Sequence, residues 1–276
     1  MRSESGDLNV VVVNYRTPER TVRCVASMLA LRIALASDMV VVDNASPDDS
    51  YRKLHETLPD GVRLVRASMN RGFAAGVNFG IVAGTRRRVL VLNPDTYFVD
   101  NSIDKALAVF DASSEVGMVG LDLTYPDGVR QYSARRFYSL LDIIGRRTPL
   151  GRLSFLERRV NRHMMVEAWT PGIPFDADWV MGAGFIVKRE AYEALGGMDE
   201  HYFLYMEDVD LCARMWRSGY RIACVPGARL MHDHQRQSAG GPLSSAARCH
   251  LHSLFTFSHK FRIPLTSPPR IDGLQR

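Results

Sequence analysis

A chain of 276 residues with 46% hydrophobic content can bury one large α/β core, and that apolar content excludes a disordered polypeptide. Its net charge of +5 calls for an anionic partner, such as nucleotide phosphates, nucleic acid or a membrane surface. Cys24, Cys212, Cys224 and Cys249 lie far apart without a CxxC pair, no apolar run is long enough to span a bilayer, and residues 1–7 lack an apolar signal core. A reduced, cytoplasmic protein is therefore expected, free or peripheral at the inner face of the cell membrane.

The apolar run Leu8 to Val13 predicts a strand buried on both faces of a sheet. Thr17-Pro18 predicts a helix start, with Val22, Val25, Ala26 and Leu29 on its buried face. The unit repeats: Met39 to Val42 as strand, Ser46-Pro47-Asp48-Asp49 as cap, and Leu54 and Leu58 facing inward. Val62 to Val65 and Val89 to Leu92 read as two more strands, separated by a Gly-rich helix start at Asn70 to Gly76. Strands alternating with helices predict a doubly wound sheet, whose ligands gather at the carboxyl ends of its strands. Asn14, Tyr15, Asp43, Asn44, Asn70, Asn93 and Asp95 occupy those ends.

Beyond Asp95 the pattern predicts a helix with Ile103, Ala106, Leu107 and Phe110 inward, a strand from Val116 to Leu121, and a hairpin turn at Pro126-Asp127-Gly128. From Arg130 to Arg162 nine arginines stand against two acids, Asp142 and Glu157, interleaved with Phe137, Leu140, Ile144, Leu150 and Phe155. Such a segment suits an anionic membrane or an anionic acceptor, and equally an ordinary surface pair of helices with solvated arginines. Trp179 to Val187 reads as a strand interrupted by Gly182 and Gly184, a sign of close ligand approach around Gly182, Ala183 and Gly184. A short helix from Arg189 to Leu195 stops at Gly196-Gly197. Next, Glu207, Asp208 and Asp210 crowd the first turn of an amphipathic helix, where a third carboxylate demands a compensating charge. A strand from Arg221 leads to His232-Asp233-His234, and a final helix runs from about Leu243 to Phe261.

The turn after the first strand, Asn14-Tyr15-Arg16-Thr17, has no glycine, so the dinucleotide fingerprint fails, and the lysine phosphate loop of nucleoside triphosphatases is absent too. Asp95, ending an apolar strand, suits a hard divalent cation whose shell is completed by water and phosphate. Asp43 can accept a hydrogen bond from a base or ribose. Read as a set, Asn14-Tyr15, Val42 to Ser46, Asn70 to Asn78, Asn93-Pro94-Asp95, Gly196 to Glu200, Glu207 to Asp210 and His232 resemble, in order, the motifs of GT-A glycosyltransferases of family 2, in particular rhamnosyltransferase-like members, over residues 8–260.

The resemblance implies an α/β GT-A fold, a Rossmann-like mixed central sheet flanked by helices with a C-terminal helical extension. Its parts would be a nucleotide-sugar half (1–125), an acceptor and catalytic half (126–240) and a C-terminal helix and tail (241–276). It implies inverting transfer of a sugar, L-rhamnose from dTDP-L-rhamnose first among the donors, to a hydroxyl of a glycan or polyprenyl-diphosphate-linked acceptor, assisted by Mg²⁺ or Mn²⁺. Asn14, Tyr15, Asp43, Asn70, Gly72, Asn78, Asn93 and Asp95 would hold the donor, and Gly182, Ala183 and Gly184 the acceptor. Asp95 and His232 would bind the metal, with Asp233 fixing the histidine tautomer. Asp208 would be the general base, oriented by Glu207 and Asp210.

Two positions depart from the family pattern: Asn93 stands where Asp-x-Asp is common, and Val77 rather than Arg precedes Asn78. UDP-galactose or UDP-N-acetylglucosamine remain alternative donors. So does a nucleotidyltransferase on a related fold, although Arg16 alone would serve its phosphate loop. A basic module for nucleic acid or lipid is disfavoured, because the strand-end acids would repel nucleic acid phosphates.

Overall fold

The computed structural model describes residues 7–148, 153–233 and 245–274. Leu150 and His234 lie outside the described residues. The strands are β1 (Leu8–Asn14), β2 (Met39–Asp43), β3 (Arg63–Arg66), β4 (Arg88–Leu92), β5 (Thr96–Tyr97), β6 (Val116–Thr124), β7 (Ala134–Arg135), β8 (Phe175–Asp176), β9 (Trp179–Val180), β10 (Gly184–Lys188) and β11 (Arg221–His232). The helices are α1 (Pro18–Ala30), α2 (Ser50–Thr57), α3 (Phe73–Val82), α4 (Asp104–Ala112), α5 (Leu140–Arg147), α6 (Ser154–His163), α7 (Arg189–Ala194), α8 (Glu207–Arg217) and α9 (Ser245–Phe261).

The main sheet has the order β3-β2-β1-β4-β10-β6-β11-β5, with β8 against β11, while β7 and β9 form a separate ribbon. The first four strands are parallel, whereas β10 runs antiparallel to both β4 and β6. This is a mixed α/β sheet. The β10 insertion ties the two halves of the chain into one sheet.

The unbroken valines of β1 feed both faces. Val11 and Val13 pack under α3 in the core cluster that also takes in the buried face of α8, while Leu8, Val10 and Val12 belong to a second cluster with buried residues of α1, α2 and α4. The expected strand over 179–187 divides in two, because residues 181–183 leave the ladder between β9 and β10. Thr17 does not cap α1 with its side chain; its hydroxyl meets Asn14 Oδ1 at 3.3 Å instead. The C-terminal helix is no appendage, since Phe257 and Phe261 are buried in the same core as Trp216. Just after it, the carbonyls of Pro264 and Leu265 accept the first N–H groups of α5.

Candidate active site

At the carboxyl end of the sheet, Asn14 and Asp43 stand opposite one another in the β1–β2 register, both fully buried. Asn14 Nδ2 donates to Asp43 Oδ1 at 2.9 Å, and the Ser46 N–H donates to Oδ2 at 3.2 Å. Arg66 approaches the same carboxylate at 3.6 Å. Tyr15 stands exposed beside this pair. Asn44 donates to Asn70 Oδ1 (3.1 Å) and to the Gly72 carbonyl (3.0 Å), so β2 holds the loop that starts α3. Gly72 has φ +97°, and a Cβ there would lie 2.2 Å from the Phe203 carbonyl oxygen. Only glycine allows that close approach. The Phe73 N–H then donates to that carbonyl at 3.1 Å, joining the donor-side loop to the acidic turn.

Asn78 lies elsewhere. Its Oδ1 accepts from the Tyr192 hydroxyl and the Met198 N–H, and its Nδ2 donates to the Met198 carbonyl and to Glu200. All four positions of the amide are thereby used to hold the 196–200 loop.

Asp95 follows β4, and its Oδ1 is buried without a hydrogen-bond donor among the described residues. His232, at the end of β11, places Nε2 3.5 Å from that oxygen. Gln131 orients the ring: its Nε2 donates to the His232 carbonyl and its Oε1 meets Nδ1, both at 2.7 Å. With the amide so oriented, Nδ1 donates to Gln131 and Nε2 faces Asp95. Gln131, not Asp233, therefore sets the tautomer. Asp233 contributes its backbone N–H to the Asp95 carbonyl at 2.9 Å. A carboxylate oxygen lacking a donor beside an imidazole nitrogen suits a divalent cation that keeps water and diphosphate oxygens as its other ligands. Among the described residues no cluster of three or more His, Cys, Asp or Glu could hold a metal, so the protein's share would be these two groups.

The acidic turn begins with two consecutive residues in the left-handed region, Tyr205 (φ +69°) and Met206 (φ +71°). Backbone of this kind is unfavourable for side-chain-bearing residues and is characteristically retained at functional sites. From that start α8 presents Asp208, half-buried, with Oδ2 accepting the Gly182 N–H at 2.8 Å and Oδ1 accepting its neighbour Val209's at 2.8 Å. Burial pushes the Asp208 carboxyl upward, against those two N–H groups and the nearby Arg135, which favour its ionised form. Glu207 is more deeply buried, and its Oε2 lacks a hydrogen-bond partner. Burial first, and then the charge of Asp208, raise the Glu207 carboxyl well above the usual range. Two N–H groups thus hold the ionised form of Asp208, whereas Glu207 Oε2 has no donor among the described residues.

Asp210 is two residues from Asp208, about 200° around a helix of 3.6 residues per turn, and faces the opposite side. It is fully buried there between Arg214 (2.6 Å) and Lys260 of α9 (2.5 Å), with the Tyr202 hydroxyl at 3.4 Å.

Asn93, Gly182, Ala183, Glu207, Asp208 and His232 thus line one cavity of about 280 Å³. The Asn93 N–H donates to the Ala183 carbonyl at 3.0 Å while the Gly182 N–H holds Asp208, so the short link 182–183 is tied to both residues. Gly184 is inside β10, and a Cβ there would lie 2.2 Å from the Leu230 side chain. Sequence reasoning missed Gln131 and Arg135, which lay in a segment notable only for its charge. The described excess of that segment is partly internal, with Arg130 on Asp122, Arg136 on Asp178 and Arg159 on Asp142.

The family model described as Glycosyltransferase like family 2 matches residues 6–248. The chain belongs to glycosyltransferase family 2. This glycosyltransferase is 29% identical to an N-acetylglucosaminyl-diphospho-decaprenol L-rhamnosyltransferase of Mycobacterium tuberculosis, over 91% of this chain and 83% of the relative. A low-salt glycan biosynthesis hexosyltransferase of Haloferax volcanii is 23% identical over 82% of this chain and 67% of the relative. Among solved structures, GalNAc-T7 with UDP, GalNAc and Mn²⁺ superposes with a TM-score of 0.64 at 17% identity, over 93% of this chain and 48% of the other. A mannosyltransferase from Pyrobaculum calidifontis with GDP-Man and Mn²⁺ gives 0.59 at 19% identity, over 86% and 59%. The glycosyltransferase therefore spans about half to three fifths of those structures, which share its GT-A fold. Family membership removes the nucleotidyltransferase alternative.

Proposed function

We propose that this glycosyltransferase transfers L-rhamnose from dTDP-L-rhamnose, with inversion, to a hydroxyl of a glycan carried on a lipid diphosphate. The observation that carries the reading is that Asp208, an acceptor of two backbone N–H groups, lines the same cavity as His232, whose Nε2 lies 3.5 Å from Asp95. Asp208 takes the proton of the acceptor hydroxyl as that oxygen bonds to the anomeric carbon, and the bond from that carbon to the diphosphate oxygen breaks on the opposite face. Asp95 and His232 would hold Mg²⁺ or Mn²⁺, which offsets the charge gathering on the departing diphosphate. Asn14, Tyr15, Asp43, Asn70 and Gly72 would form the nucleoside end, and the 182–184 backbone would meet the acceptor. The rhamnosyl group and the lipid carrier are supported by the name of the mycobacterial relative. The fold neighbours named with Mn²⁺ support a divalent cation.

Incubation with a short-chain prenyl-diphosphate-linked N-acetylglucosamine and Mn²⁺ is expected to consume dTDP-L-rhamnose, to leave UDP-galactose and UDP-N-acetylglucosamine largely unused, and to stop with EDTA. NMR of the product should show the anomeric configuration inverted relative to the donor. Turnover confined to a UDP-sugar, or retained configuration, would refute the assignment.

Among the described residues no helix is long and apolar enough to cross a membrane. We infer a peripheral site at the inner membrane face, formed by the exposed Leu140 and Ile144 of α5 and Leu251 and Phe255 of α9. Apolar side chains on a net cationic protein suit an anionic lipid surface. In flotation with phosphatidylglycerol vesicles the protein is expected to rise with lipid, and L251D together with F255D should leave it at the bottom. Equal flotation of the double variant would discount this face.

A further inference from the structure

We propose that Arg135 and Arg146 form a subsite for a phosphoryl group of the acceptor, on the Asp208 side of the cavity. The inference rests on the glycosyl-transfer reading for its source of phosphate, and on the arginines themselves for the site. Arg135 is 5% exposed. Its Nη1 and Nη2 reach only the sulfurs of Met164 (3.0 Å) and Met181 (3.4 Å), its guanidinium carbon lies 5.4 Å from the Trp179 ring, and its Nε has no hydrogen-bond partner. Thioether sulfur is a weak acceptor, and a buried guanidinium ordinarily has a carboxylate. Its chain neighbour shows the contrast, since Arg136 donates to Asp178 at 2.9 Å. No carboxylate lies within 4.0 Å of either Arg135 or Arg146 among the described residues.

Arg146 projects from α5 at the mouth of the same cavity and donates to His163 Nε2 at 3.4 Å. Burial, then Arg146 and Arg135, push His163 down to about 2, so the imidazole is a neutral acceptor that holds Arg146 without adding charge. Two cations on one wall, one of them desolvated and short of acceptors, are preorganised for a multiply charged oxyanion. The donor diphosphate would be served separately by Asp95 and His232, which stand 3.5 Å apart and would hold its cation.

The test is a titration of the whole protein with geranyl diphosphate, with dTDP and Mn²⁺ saturating so that the donor site is filled. Wild type is expected to bind, and R146Q and R135M to bind about 10- to 100-fold more weakly, the loss expected for a charged hydrogen bond. Geraniol should not distinguish the three proteins. Equal affinity in variants and wild type, no binding by wild type, or displacement of geranyl diphosphate by dTDP would each overturn the subsite. Inorganic pyrophosphate binding as tightly as geranyl diphosphate, with the same loss in the variants, would reassign it to a free anion and overturn the acceptor claim. Should R135M unfold, R146Q carries the test, because Arg146 is exposed. Binding without any sugar transfer would leave the subsite standing and remove the transferase reading instead.

Discussion

Asp208→Asn is expected to slow sugar transfer by about 10²- to 10⁴-fold, the usual contribution of a positioned general base. Steady-state transfer rates at saturating donor, beside an unfolding curve that matches wild type, provide the check. An amide cannot take the acceptor proton, and one of the two N–H groups that hold the carboxylate, from Gly182 on Oδ2 or from Val209 on Oδ1, would still hold the amide oxygen while the other loses its acceptor. Glu207→Gln should cost far less at neutral pH. Burial and the charge of Asp208 already favour the protonated form of Glu207, which glutamine imitates. The working form of Asp208 is the carboxylate and burial raises its titration, so kcat/KM should fall as pH drops through the values of the pair. Equal losses in the two variants would assign the base to Glu207 or to both acids jointly. Full activity in Asp208→Asn would remove the general-base role altogether.

The second large effect concerns stability. Asp210→Ala leaves Arg214 and Lys260 facing a site from which their shared carboxylate has gone, and breaking a buried pair of this kind costs about 3–5 kcal/mol. The measured Tm should fall by roughly 10 °C for a protein of this size. Lys260 keeps Asp199 at 3.0 Å and Arg214 keeps the Leu195 carbonyl at 3.0 Å, so the loss should be near the lower bound. We read Asp210 as the latch between α8 and α9. A variant with unchanged unfolding but abolished transfer would show instead that Asp210 works on the reaction.

How much of the fold and site is legible from the residues alone depends on how local each signal is. The valines of β1 and β2 mark doubly covered strands whatever else the chain does, and Asp43 and Asp95 stand at strand ends by simple counting. The crowding of Glu207, Asp208 and Asp210 was visible, and helical geometry alone separates Asp208 from Asp210 by about 200°. Grouping them by proximity in sequence overlooked that rotation. The pairing of His232 with Gln131 spans 101 residues and leaves no local mark. Arg135 differs from Arg136 only in tertiary surroundings, one meeting sulfur and the other Asp178, so charge counting could not part them. The antiparallel insertion of β10 between β4 and β6 is likewise invisible to periodicity, which reports burial but not strand direction.

The link at residues 182–183 sets a limit on redesign. The Ala183 carbonyl holds the Asn93 N–H, and the Gly182 N–H holds Asp208. Removing or adding one residue of extended chain shifts the adjoining strand by about 3.3 Å, comparable to the full length of a hydrogen bond. The placement of Asp208 relative to Asn93 is thus set by the length of this link. Variants built around this cavity must therefore keep the residue count between Val180 and Gly184 unaltered.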